Sequence, residues 1–378
     1  MVDVPGTTRQ IRSLVEETRV VRVSIETVET PQPRSHQVLV RVEAAPLNPS
    51  DLGLLLAMSD VDQATASGSP DEPVVRAPIS EKVMPSLRAR VGISMPVGNE
   101  AAGVVVAAGD SPEAQGLLGR RVGFAGEGTY GHHSLAAAQS CLLLPEDASA
   151  ASGASSFVNP LTALGMLETL RREGHTGLVH TAAASNLGQM LNRICLADGV
   201  PLVNIVRRPE QADLLREQGA AYVCDSSTET FFTDLVDALE ATGATIAFDA
   251  VGGGGLASQI LNAMEVAVTE PGAPYSRYGT GVWKQVYVYG ALDRRPLELR
   301  RGFGFAWGIG GWLLMPFLST LAAEDLDRMK RRVASELTTT FASHYTGEIS
   351  LTQALDLLVM RRYARQATGE KFLLTPQS

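Results

Sequence analysis

Hydrophobic and polar positions divide the chain into three stretches of different periodicity. In residues 1–155, Val38–Glu43 alternates apolar and polar side chains, and Ala101–Ala108 is an unbroken run of small apolar residues. Alternation with a period of two predicts a half-buried strand, and a short apolar run predicts a buried strand. The first stretch is therefore expected to be rich in β-structure. Residues 57–96 are the exception, because they lack periodicity and aromatic side chains and predict a long functional or mobile loop.

From residue 159 to about residue 290, strand and helix patterns alternate. The predicted strands are Gly177–Thr181, Pro201–Val206, Tyr222–Cys224 and Thr245–Asp249. The helices predicted between them, each followed by a glycine, are Leu187–Asp198, Pro209–Gln218 and Glu229–Thr242. This alternation predicts βαβ units and a parallel sheet covered on both faces, which is the doubly wound α/β architecture of a Rossmann domain.

The third stretch, from about residue 320, mixes charged helical segments with a final strand, Lys371–Leu374. Just before it lies Gly302–Leu321, which is the most apolar segment of the chain and is long enough to span a membrane. Five glycines and Pro316 interrupt this segment. The pattern therefore favours a buried or interface element over a membrane element.

Composition and charge narrow the classes of function. A chain of 378 residues, 45% of them apolar, predicts about two to three domains with a large core. The net charge of −9 argues against nucleic acid and against an anionic membrane surface as partners. Residues 1–17 carry charged side chains and no apolar stretch, so we expect no signal peptide and a cytoplasmic location. The three cysteines, Cys141, Cys195 and Cys224, are too few and too dispersed for a disulfide framework or a four-thiolate zinc lobe.

A candidate dinucleotide site follows the first strand of the alternating stretch. The segment that begins at Gly177 reads GLVHTAAASNLGQM, with small residues at three-residue spacing. Small residues let the backbone approach a pyrophosphate, whose charge lies on the free N–H groups of the helix N-terminus. The strict glycine fingerprint is absent, and small residues also pack any helix on a sheet. The position in the βαβ series favours a cofactor site formed by Ala182, Ser185, Asn186, Leu187 and Gly188.

The end of the second strand of this series indicates which cofactor is bound. Arg207 and Arg208 follow this strand, and no acidic residue stands there to accept hydrogen bonds from the ribose of NADH. Two guanidinium groups can bind the 2′-phosphate of NADPH through charge-assisted hydrogen bonds, although a solvated turn would have the same sequence. NADPH is therefore expected, with NADH less favoured. Two later strands also end in candidate cofactor residues, which are Val251 and Gly252 on one and Tyr289, Gly290 and Ala291 on the next. We predict that these residues pass near the cofactor. The alternative is that they only pack the sheet and its turns.

Seven segments together match a known family in content and in order. They are VRVEAAPLNPSDL (40–52), PVGNEAAGVV (96–105), GTYGHH (128–133), VNPLTALGML (158–167), HTAAASNLGQ (180–189), FDAVGG (248–253) and ATGEKFLL (367–374). The chain resembles the medium-chain dehydrogenase/reductase superfamily, in its zinc-free quinone oxidoreductase and enoyl reductase branch. The resemblance implies a partly open β-barrel (GroES-like) catalytic domain made of residues 1–155 and 319–378. It also implies a Rossmann domain at residues 156–318 and a homodimer joined through the edge strand of that domain.

The resemblance also bears on metal binding. Zinc-dependent members of the superfamily carry a cysteine and a histidine at the positions of Asn48 and Asn99 in this chain. A neutral amide is a poor zinc ligand, and the adjacent His132 and His133 would point to opposite faces of a strand. We therefore expect no metal.

Without a metal, the chemistry expected from the resemblance is hydride transfer from a nicotinamide to a quinone or to a double bond conjugated to a carbonyl. The resemblance makes Asn48 the candidate hydrogen-bond donor near the nicotinamide and the substrate carbonyl, although it can equally cap a turn, and Asp51 is expected to fix that turn. It places Thr162 at the nicotinamide end of the cofactor and Lys371 near the cofactor or substrate.

Two alternatives stay open. The sequence is similar to mitochondrial 2-enoyl-thioester reductases, but these carry a tyrosine proton donor shortly after the NPSD segment, and no tyrosine lies between Asp51 and Glu100. Tyr130 is the first tyrosine of the chain and is a candidate donor, with aromatic packing as its other use. The second alternative is a non-catalytic NADP-binding protein of the same fold.

Two extensions relative to the family, Glu270–Lys284 and Gly302–Leu321, are rich in aromatic residues. We expect their aromatic side chains to form an apolar pocket or a subunit contact, with core filling as the alternative. These side chains are Trp283, Phe303, Phe305 and Trp307.

Overall fold

The computed structural model describes residues 4–272 and 274–378. Met1–Asp3, which begin the predicted N-terminal segment, and Ala273, which belongs to the Glu270–Lys284 extension, lie outside the described residues.

The described residues form eighteen strands and thirteen α-helices. The strands are β1 (Thr7–Val15), β2 (Val20–Glu29), β3 (Gln37–Pro46), β4 (Thr65–Gly68), β5 (Pro73–Pro78), β6 (Ser94–Pro96), β7 (Glu100–Ala108), β8 (Arg121–Ala125), β9 (His133–Ala137), β10 (Cys141–Leu143), β11 (Leu178–Thr181), β12 (Leu202–Val206), β13 (Tyr222–Asp225), β14 (Ile246–Asp249), β15 (Lys284–Val288), β16 (Trp307–Gly311), β17 (Gly347–Ile349) and β18 (Phe372–Leu374). The helices are α1 (Pro49–Leu56), α2 (Met84–Leu87), α3 (Pro112–Gly116), α4 (Ala150–Gly153), α5 (Val158–Arg172), α6 (Asn186–Asp198), α7 (Pro209–Glu217), α8 (Phe231–Thr242), α9 (Leu256–Ala267), α10 (Leu314–Leu318), α11 (Ala323–Ser335), α12 (Leu351–Ala354) and α13 (Leu357–Ala364).

The chain divides into two compact units. The first contains the chain up to Val158 together with Lys330–Ser378, and the second is Asn159–Met329. The second boundary falls inside α11, later than the predicted return at residue 319. The reason is that the first part of α11 pairs with α5 of the second unit, where Arg172 lies 3.5 Å from Asp325 and Arg328 lies 3.8 Å from Glu168.

The first unit is rich in β-structure, as predicted. Among the described residues, one sheet has the strand order β4-β5-β2-β1-β6, and the other has the order β10-β8-β7-β3-β18-β17 with β9 also paired to β3. The C-terminal strand β18 pairs antiparallel with β3, so the last strand of the chain joins a sheet that the first 158 residues otherwise form together with β17. Alternating apolar side chains of β1, β2 and β3 contribute to the hydrophobic core of the first unit.

The prediction that residues 57–96 form a long loop is wrong. The segment folds into the hairpin β4–β5, the short helix α2 and the strand β6, and β5 and β6 add to β2 and β1 respectively. The hairpin was missed because all four residues of β4 are exposed, so no side-chain alternation marks it. The pairing that orders the segment is with β2, far away in sequence, and a local pattern carries no sign of it.

The second unit contains the predicted parallel sheet. Its described strands lie in the order β13-β12-β11-β14-β15-β16, and every neighbouring pair is parallel. In chain order this is 3-2-1-4-5-6, the doubly wound Rossmann order, whose direction reverses between β11 and β14. Helices α6 and α8 end at Gly199 and Gly243, both with positive φ, as the glycine positions predicted.

The apolar segment Gly302–Leu321 supplies the edge strand β16 and the short helix α10. No helix among the described residues is long and apolar enough to cross a membrane. Phe303 is fully buried and makes an edge-to-face contact with Trp307 at 4.9 Å, so it fills the core. Trp283 and Phe305, in contrast, are 53% and 63% exposed and stay available for an external contact.

Candidate active site

A buried polar network in the first unit surrounds the start of α1. Strand β3 ends at Pro46, and Pro49 is the first residue of α1, which leaves Asn48 at the turn between them. The Asn48 backbone N–H donates to Asp51 Oδ2 at 2.9 Å, so Asp51 fixes this turn. The Asn48 side chain is only 3% exposed, so the turn holds it inside the unit.

The Asn48 amide is held by a carboxylate. Its Nδ2 donates to Glu100 Oε1 at 2.7 Å, while its Oδ1 is buried without a hydrogen-bond partner among the described residues. Glu100 Oε2 accepts the backbone N–H groups of Phe157 at 3.2 Å and Val158 at 2.7 Å. Burial raises the Glu100 pKa, and the charge of Lys371 and these hydrogen bonds oppose the rise. Asn48 is therefore oriented by Glu100, which accepts one of its two amide protons.

Asp51 is the second buried carboxyl group of the network. Its Oδ1 accepts the Asn99 side-chain N–H at 2.6 Å, and its Oδ2 lies 2.7 Å from the Tyr130 hydroxyl. Burial raises the Asp51 pKa to about 7, against the effect of the hydrogen bonds from Tyr130 and Asn48. The Tyr130 hydroxyl also lies 2.9 Å from the Pro46 carbonyl oxygen, and the ring is buried. These two contacts let Tyr130 hold Asp51 and the end of β3 in place. Burial and the nearby Asp51 raise the Tyr130 pKa well above its usual value.

Lys371, the residue before β18, lies close to this network. Its Nζ donates to Ser155 Oγ at 2.7 Å, and Ser155 Oγ is 2.9 Å from the Tyr345 hydroxyl. Sequence reasoning singled out Lys371 and missed Ser155 and Tyr345. No local motif marks them, since each is brought to Lys371 only by the tertiary fold.

Asn48 and Asn99, which the resemblance aligns with zinc-ligand positions, are amides with other partners. Asn48 and Asn99 are bound to the carboxyl groups of Glu100 and Asp51. Among the described residues, no group of three or more His, Cys, Asp and Glu side chains is arranged to hold a metal ion. His133 Nδ1 lies 3.2 Å from the Thr8 hydroxyl.

The turn after β11 in the second unit has the geometry of a backbone cradle. Ala182 has a positive φ of 51°, and Ser185 Oγ accepts the Gly188 N–H at 3.1 Å and so caps α6. A Cβ at Gly188 would lie 2.2 Å from the Ala183 carbonyl oxygen, so only glycine allows this close turn. Asn186 and Leu187 are the first two residues of α6, at its N-terminus.

A buried aspartate, which sequence reasoning missed, joins this turn to the end of β14. Asp249 Oδ1 accepts the Thr181 hydroxyl at 2.7 Å and the Val251 N–H at 2.9 Å, while its Oδ2 accepts the Gly252 N–H at 3.1 Å. The Thr181 oxygen in turn accepts the Ala250 N–H at 2.8 Å. Since β11 and β14 flank the reversal in strand order, these bonds shape the place where doubly wound sheets bind their ligands.

The other predicted cofactor residues lie at several places in the second unit. Arg207 and Arg208 follow β12 and are exposed. Tyr289 and Gly290 follow β15, and a Cβ at Gly290 would lie 2.5 Å from the Ala250 carbonyl oxygen. The remaining two are Ala291, which is exposed, and Thr162, which is buried in α5.

Tyr289 is also tied to the first strand of the sheet. Its hydroxyl lies 2.7 Å from His180 Nε2. Burial lowers the His180 pKa to about 3, so this imidazole is neutral. Strand β11 therefore orients the side chain that follows β15.

Comparison with known proteins finds similarity to parts of curated proteins and to the folds of solved structures. No family model matches the chain. The mitochondrial enoyl-[acyl-carrier-protein] reductase of Xenopus tropicalis is 29% identical over 212 residues, which are 53% of this chain and 51% of that protein. The chain thus spans about half the length of the curated relatives it matches.

Solved structures extend the likeness to the whole chain. A protein described as an NADPH:quinone reductase from Mesorhizobium loti superposes with a TM-score of 0.74 at 24% identity, covering 99% of this chain and 100% of that one. A mycobacterial structure complexed with NADPH has a TM-score of 0.67 at 19% identity, covering 98% and 100%. These likenesses confirm the resemblance carried by the motifs: the chain has the fold of the medium-chain dehydrogenase/reductase superfamily.

Proposed function

We propose that this protein is a zinc-independent reductase that transfers hydride from NADPH to a quinone or an α,β-unsaturated carbonyl compound. The observation that carries the proposal is the state of Asn48. It is a buried neutral amide whose Nδ2 gives one of its two protons to Glu100, and Asn99 is bound to Asp51 beside it. The second Nδ2 proton of Asn48 is left to donate to a substrate carbonyl oxygen, and neutral amides are poor replacements for thiolate and imidazole as zinc ligands.

The second unit fits NADPH by its own geometry. The Gly188 turn would admit a pyrophosphate against the N-terminus of α6, where a side chain at position 188 could not fit. The exposed Arg207 and Arg208 suit the 2′-phosphate. Val251, Gly252 and Tyr289 follow neighbouring strands and are proposed to line the remaining path. NADPH supplies the hydride when bound.

The curated relatives favour a second candidate, a 2-enoyl-thioester reductase. The two candidates share the cofactor and differ in the acceptor. Against the second candidate stands the missing tyrosine between Asp51 and Glu100, where the thioester reductases carry their donor.

One set of assays separates these candidates. NADPH is expected to quench tryptophan fluorescence, and adding benzoquinone, phenanthrenequinone or a simple enone is expected to remove the nicotinamide absorbance. Turnover of crotonyl-CoA in preference to these acceptors would support the thioester reductase. Binding of NADPH with no turnover of any acceptor would support a non-catalytic NADP-binding protein.

We also propose that the chain forms a homodimer through β16. In the described part of the second unit, β16 pairs with β15 alone, so its other edge presents unpaired backbone groups.

A further inference from the structure

Three side chains of the first unit form a hydrogen-bonded chain that the proposed function does not yet use. Lys371 Nζ donates to Ser155 Oγ at 2.7 Å, and Ser155 Oγ is 2.9 Å from the Tyr345 hydroxyl. The Lys371 ammonium also lies over the Tyr345 ring, 5.6 Å from its centre. Ser155 is buried, whereas Lys371 and Tyr345 are partly exposed. The buried Ser155 hydroxyl therefore links the polar groups of two partly exposed residues.

Strand pairing brings these three hydrogen-bonded side chains toward the turn that carries Asn48. Parallel pairing of β17 with β18 aligns Gly347 with Phe372, so Tyr345 and Lys371 lie next to one another just before these strands. The Leu47 N–H donates to the Phe372 carbonyl oxygen at 3.0 Å, which joins the residue before Asn48 to the residue after Lys371. The backbone segments that carry Asn48 and Lys371 are thus joined by a hydrogen bond, and Glu100 interacts with both side chains, by a hydrogen bond to Asn48 and through its charge with Lys371.

The charges that face Lys371 are those of two buried carboxyl groups. Burial lowers the Lys371 pKa to about 8, while Glu100 and Asp51 act to raise it. Contacts of the ammonium group within the described part of the chain are to the Ser155 hydroxyl and the Tyr345 ring, and the two carboxyl groups act on it through their charges. A lysine in such a place stays protonated at neutral pH and is a much stronger acid than an exposed one.

We propose that Lys371 is the proton donor of the reaction and that Ser155 and Tyr345 restore its proton from water. The proposal rests on the proposed function. For an enone, hydride from NADPH forms a C–H bond at the β-carbon, and the π electrons move onto the carbonyl oxygen as an enolate. A Lys371 N–H bond then breaks as its proton forms a C–H bond at the α-carbon, and the carbonyl group is restored. The Ser155 hydroxyl passes its proton to the neutral amine and takes the Tyr345 proton, and Tyr345 is reprotonated from the solvent, which replaces the one proton consumed. The net change is the addition of one hydride and one proton to the double bond.

The other buried acids of the network do not suit this task. Tyr130 and Asp51 are almost fully buried and are bound to each other, to Pro46 and to Asn99. Lys371 has three N–H groups, and Ser155 is its one side-chain acceptor among the described residues. It can therefore donate to a substrate without losing its place.

The kinetic test compares Lys371→Met and Lys371→Arg with wild type. The arginine keeps the positive charge beside Glu100 but does not release a proton. Both variants are expected to keep the Kd for NADPH and to lose enone turnover by about 100- to 10,000-fold in kcat, the usual contribution of a general acid. Quinone turnover is expected to fall much less, because a hydroquinone anion can leave before it is protonated. Lys82→Met, which removes an exposed lysine of the same unit, is the control and is expected to behave as wild type.

Two outcomes overturn the proposal while leaving the proposed function intact. One is an active wild type whose enone kcat is unchanged in Lys371→Met. The other is recovery of that kcat in Lys371→Arg, which would assign Lys371 an electrostatic role. If none of the tested quinones and enones supported NADPH oxidation by the wild-type protein, the proposed function itself would be overturned.

A direct titration needs no cofactor. The chain has four lysines, so side-chain-labelled lysine gives a simple NMR spectrum, and the Lys371 signal is the one lost in Lys371→Arg. This signal is expected to titrate near pH 8 in the protein without nicotinamide. Titration at the ordinary lysine value of 10.5 would contradict the donor role.

Discussion

At the scale of single residues, Asp51 shows how burial and hydrogen bonding compete. Its carboxyl group accepts N–H groups from Asn48 and Asn99, which favours the charged form. Burial favours the neutral form more strongly and raises its pKa to about 7. The Tyr130 hydroxyl lies near two oxygens but has one proton to donate. A proton on Asp51 lets Tyr130 donate to Pro46 and accept from Asp51 at the same time.

This pKa predicts how stability depends on pH. The folded chain holds the Asp51 proton more tightly than the unfolded chain does, because the pKa rises from 3.8 to about 7 on folding. Asp51 therefore stabilises the fold fully at acidic pH, and this contribution is lost as the pH rises through about 7. Between acidic and alkaline pH, the contribution of Asp51 to the free energy of unfolding changes by on the order of 4 kcal/mol, at about 1.4 kcal/mol for each pKa unit.

The substitution Asp51→Asn tests this pH dependence, because it removes the titrating group. The Asn99 amide can turn to keep a hydrogen bond with the new amide at position 51. Urea unfolding is expected to show a wild-type free energy that falls between pH 4 and pH 7 more steeply than that of Asp51→Asn. The exposed Asp71 supplies the matched control, and Asp71→Asn should keep the wild-type slope. Parallel pH profiles for wild type and Asp51→Asn would contradict the assignment.

Some residues of the candidate site could be predicted from the sequence and others could not. Asn48 and Lys371 lie in motifs that match the family, so their positions could be singled out. Ser155 and Tyr345 lie 216 and 26 residues from Lys371 and in no such motif, and only the packing of β17, β18 and α4 joins them. Asp249 was missed for a different reason. The sequence around an aspartate at a strand end does not indicate whether its carboxyl group faces solvent or bonds to two neighbouring loops.

At the scale of elements, the proposed preference for NADPH depends on the residues that follow the second strand of the parallel sheet. Strand β12 is wholly buried up to Val206, and the chain then presents Arg207 and Arg208 before Pro209 begins α7. The alternating βαβ pattern could be predicted because each helix has its own stripe of apolar residues and its own terminal glycine. The β4–β5 hairpin could not, since its order comes from the distant strand β2.

Arg207 gives a prediction about cofactor choice. Arg207→Glu is expected to raise the KM for NADPH on the order of 10- to 100-fold and to change the KM for NADH little, since a hydrogen bond to a charged group contributes about 1.5–3 kcal/mol. Steady-state kinetics with both cofactors measure the two constants. Arg88→Glu changes the net charge equally at an exposed site in the first unit and is the control. Equal effects of Arg207→Glu on both cofactors would sink the assignment.

At the scale of the whole molecule, the free edge of β16 predicts self-association. The Trp312 N–H donates to Val288, and the Lys284 N–H donates to Ala306, so residues 306, 308, 310 and 312 turn their backbone groups toward β15. Ile309 lies between them and turns its N–H toward the free edge. Edge N–H groups of this kind are the ones that a second copy would use.

Ile309→Pro removes this edge donor and leaves the bonds to β15 in place. Sedimentation equilibrium is expected to give twice the chain mass of 40.2 kDa for wild type and the single mass for Ile309→Pro. Gly311→Ala keeps the edge N–H in an open position and should remain a dimer. A wild type that sediments as a monomer, or a proline variant that stays dimeric, would rule out this interface.

The measurement that tests the central claim most directly is NADPH oxidation by protein dialysed exhaustively against a strong chelator. Asn48 and Asn99 hold the positions of zinc ligands as hydrogen-bonded amides, so the reaction should not need the metal. We predict that reduction of a quinone or an enone proceeds at the same rate before and after dialysis, and faster with NADPH than with NADH. Loss of turnover on dialysis with recovery on adding zinc, or failure of the dialysed protein to bind any nicotinamide, would contradict it.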